Sequence, residues 1–194
     1  MKNKYLLVIL LIAAVGGTIG TNIAKDIIRQ FNKKSISIKN WNIYKIGTSG
    51  LRIELPGKPD TSPLNLPDSV RNLIRNTESF QFKKNNIEVG INYVLYIDSL
   101  HPEPRNAALG SIQNIKTLNG VKDVNYSFEN TIHSNFKEIV MRGNFLRFNK
   151  NVSFANAIIA RNSEMWSIQI IYTQDIENAE VIIQKIFNSI NIHE

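Results

Sequence analysis

One run of the chain constrains its fold more than any other. Ile87, Val89, Ile91, Tyr93, Leu95 and Ile97 occupy alternate positions, with Glu88, Gly90 and Asn92 between them. Side chains two apart share a face only in extended backbone, so the run predicts a strand half-buried in a sheet. Phe80-Gln81-Phe82 ahead of it, and Asn85-Asn86 in between, make the pair a hairpin.

The same period recurs along the chain. Leu51, Ile53 and Leu55 face one way, Arg52 and Glu54 the other, and Pro56-Gly57-Lys58-Pro59 ends that strand. Residues 56–69 hold four of the six prolines and read as a loop. Strands are expected again at Val124, Tyr126 and Phe128, over 136–148, over 152–161, and at Trp166, Ile168, Ile170 and Tyr172. The joints Asn149-Lys150 and Asn162-Ser163 are short, so these neighbours should be antiparallel. Apolar parity shifts near Gly143, which predicts a bulge.

Two segments follow the helical period instead. Pro104 suits a helix start, Ala108, Ile112 and Ile115 share a face, and Asn119-Gly120 ends the helix. Near the C-terminus Asp175 is placed to cap a helix whose stripe is Ile176, Ala179, Ile183, Ile186, Phe187 and Ile190. Strands, helix, strands, helix, with no internal repeat, imply an α+β fold: an antiparallel sheet with packed helices.

Ahead of this body lies a different kind of segment. Tyr5 to Ala24 is 20 residues without a charge, centred on Leu6, Leu7, Val8, Ile9, Leu10, Leu11 and Ile12 and preceded by Lys2 and Lys4. As a helix it would span about 30 Å, the thickness of the bilayer's hydrocarbon. Residues 1–24 are therefore expected to be a membrane anchor, a single N-terminal transmembrane helix. The alternative is a cleaved export signal, for which Ala14-Val15-Gly16 offers small residues but not the usual pattern. Gly16 and Gly20 form a GxxxG that would let two such helices approach, giving a homodimer. Residues 25–39 read as a basic stem, with Lys25, Arg29, Lys33 and Lys34 facing lipid headgroups or simply solvated. Basic residues on both flanks nearly cancel and slightly favour a cytoplasmic body, so the side of the membrane is read instead from the short basic leader and the strand-rich body. Both favour a periplasmic domain on a bacterial inner membrane, or release to the periplasm after cleavage.

The body itself, 40–194, carries modest local motifs. Trp41-x-x-Tyr44 precedes Gly50-Leu51-Arg52-Ile53-Glu54-Leu55-Pro56-Gly57-Lys58-Pro59, and Ile186-Phe187-Asn188-Ser189-Ile190 closes the last helix. In these features and in element order it resembles the Mog1/PsbP-like family. The resemblance implies an α/β/α sandwich. It also implies a role as a binding or accessory module: members include a nuclear transport factor that binds a small GTPase, a photosystem subunit and bacterial envelope proteins. No catalytic motif comes with the family, so no active-site residue is carried over, and no cofactor is expected.

The residues available for chemistry point the same way. Without cysteine there is no disulfide, thiolate site, cysteine nucleophile or lipid-modified N-terminal Cys. His101, His133 and His193 stand apart in sequence, in no metal-binding spacing. Gly47-Thr48-Ser49-Gly50 lacks the following Lys-Ser/Thr and helix of a phosphate loop and reads as a turn. Glu88, Asp98 and Glu138 are the carboxylates that could pair for acid–base work, though each reads more simply as a solvated outer-face charge. The net charge of +7 is spread out, with only the pairs Lys33-Lys34 and Lys83-Lys84, so nucleic acid is not the expected partner. Trp166 shares the parity of Ile168 and Ile170 and reads as core; Trp41 is expected to pack on the final helix. Asn125 and Asn151 begin glycosylation acceptor patterns, relevant only to a eukaryotic secretory route.

The sequence thus predicts a membrane-anchored, non-enzymatic accessory module of the cell envelope that binds another envelope protein. The alternatives are a small-ligand carrier with a pocket between sheet and helices, and an enzyme of unrecognised type. The contact is expected through a sheet edge or a loop, and the segment 56–76, rich in Pro, Asn and Leu, is the candidate loop.

Overall fold

The computed structural model describes residues 41–193 except 65, 67, 85, 133, 134, 174 and 175. The anchor expected at 1–24 and the basic stem at 25–39 lie outside the described residues, as do Asp175 and His133. Among the described residues no helix is long and apolar enough to cross a membrane.

The chain runs β1 (Asn42–Lys45), β2 (Leu51–Leu55), β3 (Asp60–Thr61), α1 (Asp68–Arg71), β4 (Ile74–Lys84), β5 (Ile87–Tyr96), α2 (Pro104–Thr117), β6 (Val121–Ile132), β7 (Lys137–Arg147), β8 (Lys150–Arg161), β9 (Glu164–Thr173), α3 (Ala179–Asn188) and β10 (Asn191–Ile192). Seven strands form one sheet in the order β3-β4-β5-β9-β8-β7-β6. Every neighbour in it is antiparallel. β1, β2 and β10 form a second, smaller antiparallel sheet. The fold is α+β, mostly antiparallel sheet with packed helices.

The large sheet separates two cores. On one face Ile87, Val89, Ile91, Trp166, Ile168 and Ile170 pack with Leu51, Ile53 and Leu55 of β2 and Ile182, Ile183 and Ile186 of α3. On the other, Val94, Tyr96, Met141, Phe145, Phe154 and Ile158 pack with Ala107, Ala108, Ile112 and Ile115 of α2. Trp166 is buried against Tyr93, ring centres 5.4 Å apart, and its Nε1–H donates to the Ser49 carbonyl at 3.1 Å. Trp41 packs at the α3 side, under Lys185, whose Nζ lies 4.6 Å from the ring centre.

Several expectations need correction. β5 is covered on both faces, so Glu88, Gly90 and Asn92 are buried too. The parity shift at Gly143 is not a bulge, because β7 pairs with β8 without a break from Lys137 to Arg147. Ile139, Met141 and Phe145 are buried on one face, and Gly143 stands in their row without a side chain because the Phe154 ring fills the space. The irregular pairing falls in β6 instead, between Lys122 and Asn125, where Asp123 adopts φ 52°. The segment 56–76 is not an open loop: it holds β3, α1 and the start of β4, and Leu64, Leu66 and Leu73 pack on the α2-side core. α3 begins at Ala179, with Ile176 buried ahead of it and Asn178 left-handed at φ 68°.

Candidate functional site

Two regions have features that folding alone does not require, and both belong to the α2 side of the large sheet.

The first is a buried polar strip. Antiparallel register puts directly opposed residues on one face. Asn92 of β5 stands between Ser79 of β4 and Ser167 of β9; one step along, Gln169 of β9 stands between Gly90 and Asn156. Glu88 is opposite Lys83, with Nζ 3.7 Å from its carboxylate. Ser79, Glu88, Asn92, Asn156, Ser167 and Gln169 are all buried. α2 lies over β6, β7 and β8, so its apolar stripe covers the neighbouring half of the sheet. Within the strip Ser167 Oγ donates to Asn156 Oδ1 at 3.1 Å, whereas among the described residues Ser79 Oγ and Asn92 Oδ1, and Thr173 Oγ1 further along β9, have no hydrogen-bond partner. A buried polar atom left unpaired costs about 1–3 kcal/mol, so such a row is retained against its own cost. Hydroxyls and amides there both donate and accept, which suits neutral polar groups.

The second is the open edge of the sheet. The large sheet ends in β6, paired on one side only, and among the described residues no other edge strand is as long. From Asn125 to Ile132 its pairing with β7 is regular. Phe128 is opposite Met141 and Tyr126 opposite Gly143, so both rings lie on the face that α2 covers. Their rings meet edge to face at 5.3 Å. α2 overhangs them: the Arg105 guanidinium sits 5.2 Å from the Phe128 ring centre and Lys116 Nζ 5.8 Å from that of Tyr126. Positions 105, 109 and 116 fall on one helical face. Leu109, between the two cations, is 42% exposed, and Tyr126 is 40% exposed. Among the described residues neither cation forms an ion pair.

The titratable groups displaced from their ordinary range are not neutral-pH acids or bases. Burial pushes Tyr93 upward, helped by its hydrogen bond to Glu164 at 2.8 Å. Burial alone raises Tyr96, whose hydroxyl has no partner. Burial, with the Glu180 carboxylate beside it, carries Tyr172 up to about 12. Burial lowers Arg147, which is 5% exposed and stacks 5.6 Å from the Phe148 ring centre.

The carboxylates singled out from sequence are not brought together as a pair. Glu88 is buried beside Lys83 rather than solvated. Asp98 is exposed and bonded to Arg75 at 2.6 Å, and Glu138 lies on β7. His101 Nδ1 lies 3.4 Å from the Asn162 carbonyl, while His193 is held by its backbone N–H donating to Gly50 O. Among the described residues no three His, Asp or Glu side chains gather as a metal site. The turn at 47–50 does hold an anion, but one of the chain's own. Thr48 N donates to both Glu78 oxygens at 3.0 Å, and Thr48 Oγ1 to Oε1 at 2.6 Å. Gly47, at φ 50°, has the Glu78 carboxylate where a Cβ would stand.

No protein-family model matches the chain. No curated protein matches it either. Among solved structures it is similar to PA94 of Pseudomonas aeruginosa, a protein of unknown function, at 12% identity and a TM-score of 0.36, covering 69% of this chain and 83% of that one. It is similar also to LpqN of Mycobacterium tuberculosis, which is involved in cell envelope biogenesis, at 12% identity and a TM-score of 0.42, covering 84% of this chain and all of that one. Similarity this distant says nothing of this chain's function.

Proposed function

We propose that this chain is a membrane-tethered, non-enzymatic accessory module of the bacterial cell envelope, with a Mog1/PsbP-like body that binds another envelope protein. The observation that carries the binding half is the open edge of β6, an extended strand with exposed aromatic and aliphatic side chains beside it. An unpaired strand edge is a template for another chain, and folded proteins usually blunt it. The tether is supported by the 20 uncharged residues Tyr5–Ala24, long enough to cross the hydrocarbon. The non-enzymatic half rests on the sequence resemblance, which brings no catalytic motif to this chain.

A specific observation favours a second reading, a carrier of a small polar ligand. The strip on the α2 side of β4, β5 and β9 has buried oxygens, at Ser79 and Asn92, with no partner among the described residues. The two readings part on the full-length protein. An accessory module is retained in membranes after high-salt and alkaline washing and cross-links to a second envelope protein in intact cells. A carrier co-purifies with a small molecule that mass spectrometry detects after denaturation. Recovery of the intact chain in the aqueous fraction contradicts the tether. Membrane side is read by labelling a cysteine placed at Ser35 with an impermeant reagent in cells whose outer layer is permeabilised; protection from reagent added outside then contradicts a periplasmic body.

A further inference from the structure

We infer that the groove between the β6 edge and the outer flank of α2 takes an extended acidic segment of a partner protein as an additional strand of the sheet. This rests on the reading of the protein as a binding module and specifies how it would bind.

The backbone comes first. Regular pairing of β6 with β7 over Asn125–Ile132 leaves its other side a row of N–H and C=O groups, roughly 26 Å long at 3.3 Å per residue. Edge strands that must stay single carry Lys or Pro along their length. This stretch reads Asn-Tyr-Ser-Phe-Glu-Asn-Thr-Ile, with no Lys, Arg or Pro. The irregular pairing between Lys122 and Asn125, with left-handed Asp123, interrupts the edge at one end and so fixes where an added strand must stop.

The side chains then state the partner's chemistry. Along the groove Phe128, Leu109 and Tyr126 offer an apolar floor and wall. Arg105 and Lys116, eleven positions apart on α2, frame it and stand over rings rather than beside carboxylates. A cation on an aromatic face keeps most of its capacity for an anion. Glu129, the regular segment's one acidic residue, alternates to the other face of the strand, since it is opposite Val140 while Phe128 is opposite Met141. An added strand presents every second side chain to the α2 side, so a segment whose facing positions are apolar in the middle and acidic at the ends matches both floor and frame. The same cations could draw a nucleic acid or an anionic membrane, but neither would use the strand's unpaired amides.

The test uses the full-length protein in detergent micelles and fluorescent synthetic peptides. A peptide with Glu-Ser-Val-Ser-Val-Ser-Glu, which puts both Glu and Val on one face, should bind and slow hydrogen exchange in β6; the Lys–Val peptide, with Lys for each Glu, should not. N-methylation of alternate amides, which removes strand pairing and leaves every side chain, should abolish binding. R105E with K116E should weaken binding by about tenfold or more with the unfolding midpoint unchanged. The N-methylated arm leaves the protein untouched, so it decides the matter even if that double variant folds poorly. Equal binding of the N-methylated peptide, equal binding of the Lys–Val peptide, or no peptide binding overturns the inference. So does tighter binding of duplex DNA or phosphatidylglycerol vesicles through Arg105 and Lys116, or pairing of β6 with a second copy of the chain. If the peptides fail while membrane retention and cross-linking hold, the accessory-module reading stands and only this groove is lost.

Discussion

The two faces of the large sheet are built to different standards. Under β2 and α3 the interior is a continuous packing of isoleucines around Trp166, and the polar atoms that enter it are paired, as the Trp166 N–H is with Ser49 O and the Tyr93 hydroxyl with Glu164. On the α2 side the apolar packing gives way to Ser79, Asn92 and Thr173, whose oxygens lack partners among the described residues, and at the edge to cations resting on rings. The difference teaches where stability and function separate. One face holds the fold together, and the other keeps groups whose best use is something outside the chain's own packing.

Mutations can sharpen or break that contrast. The largest effect belongs to the isoleucine face: Trp166→Ala should cost about 3–5 kcal/mol in urea unfolding, because it empties the centre of that core and strands the Ser49 carbonyl. A smaller loss there would mean the two cores share the load. Raising the pH comes next. Tyr172 titrates in the folded state at about 12, above its ordinary 10.0, so its neutral hydroxyl stabilises the fold fully below pH 10 and loses that contribution as the pH climbs toward 12. Tyr93 and Tyr96 are displaced upward too. Phenolate absorbance should therefore lag behind model tyrosine and then appear together with unfolding. A smooth titration of every tyrosine near 10 in a protein that stays folded would contradict the burial of these rings.

Gly47→Ala should destabilise by roughly 1–2 kcal/mol, since its backbone is left-handed and the Glu78 carboxylate occupies the side-chain space. Smaller still is a matched pair. Tyr93→Phe removes a hydrogen bond to a partly buried carboxylate and should cost about 1 kcal/mol. Tyr96→Phe removes a buried hydroxyl that has no partner and should be neutral or slightly stabilising. Equal losses in the two would erase the distinction between the faces.

Much of this body is legible in the sequence, and the rest fails for identifiable reasons. The strand at 87–96, the helix from Pro104 and the stripe of the last helix follow from period alone, because side chains two or four apart must share a face. Period also gives Trp166 its place beside Ile168. It cannot say whether the second face of a strand is covered, since that depends on segments far along the chain; hence Glu88 and Asn92 read as solvated and are buried. Gly143 read as a bulge because a missing side chain in a buried row looks like a change of parity, when the space is taken by Phe154. The groove was out of reach altogether. That β6 ends the sheet follows from the order β5-β9-β8-β7-β6, which inserts the latest strands between earlier ones. Arg105, Leu109 and Lys116 carry no pattern of their own in the sequence and matter only because α2 lies over the edge strand.

Pairing of another protein with the β6 edge would bring that protein within reach of Ser127. A photo-crosslinking residue in place of Ser127, in the full-length protein in intact cells, tests it most directly, with the same residue in place of the exposed Ile43 on β1 as comparison. The account predicts one adduct with another envelope protein from position 127, lost with R105E and K116E, and none from position 43. Adducts from 43 alone, or from 127 whatever the charge at 105 and 116, would contradict it.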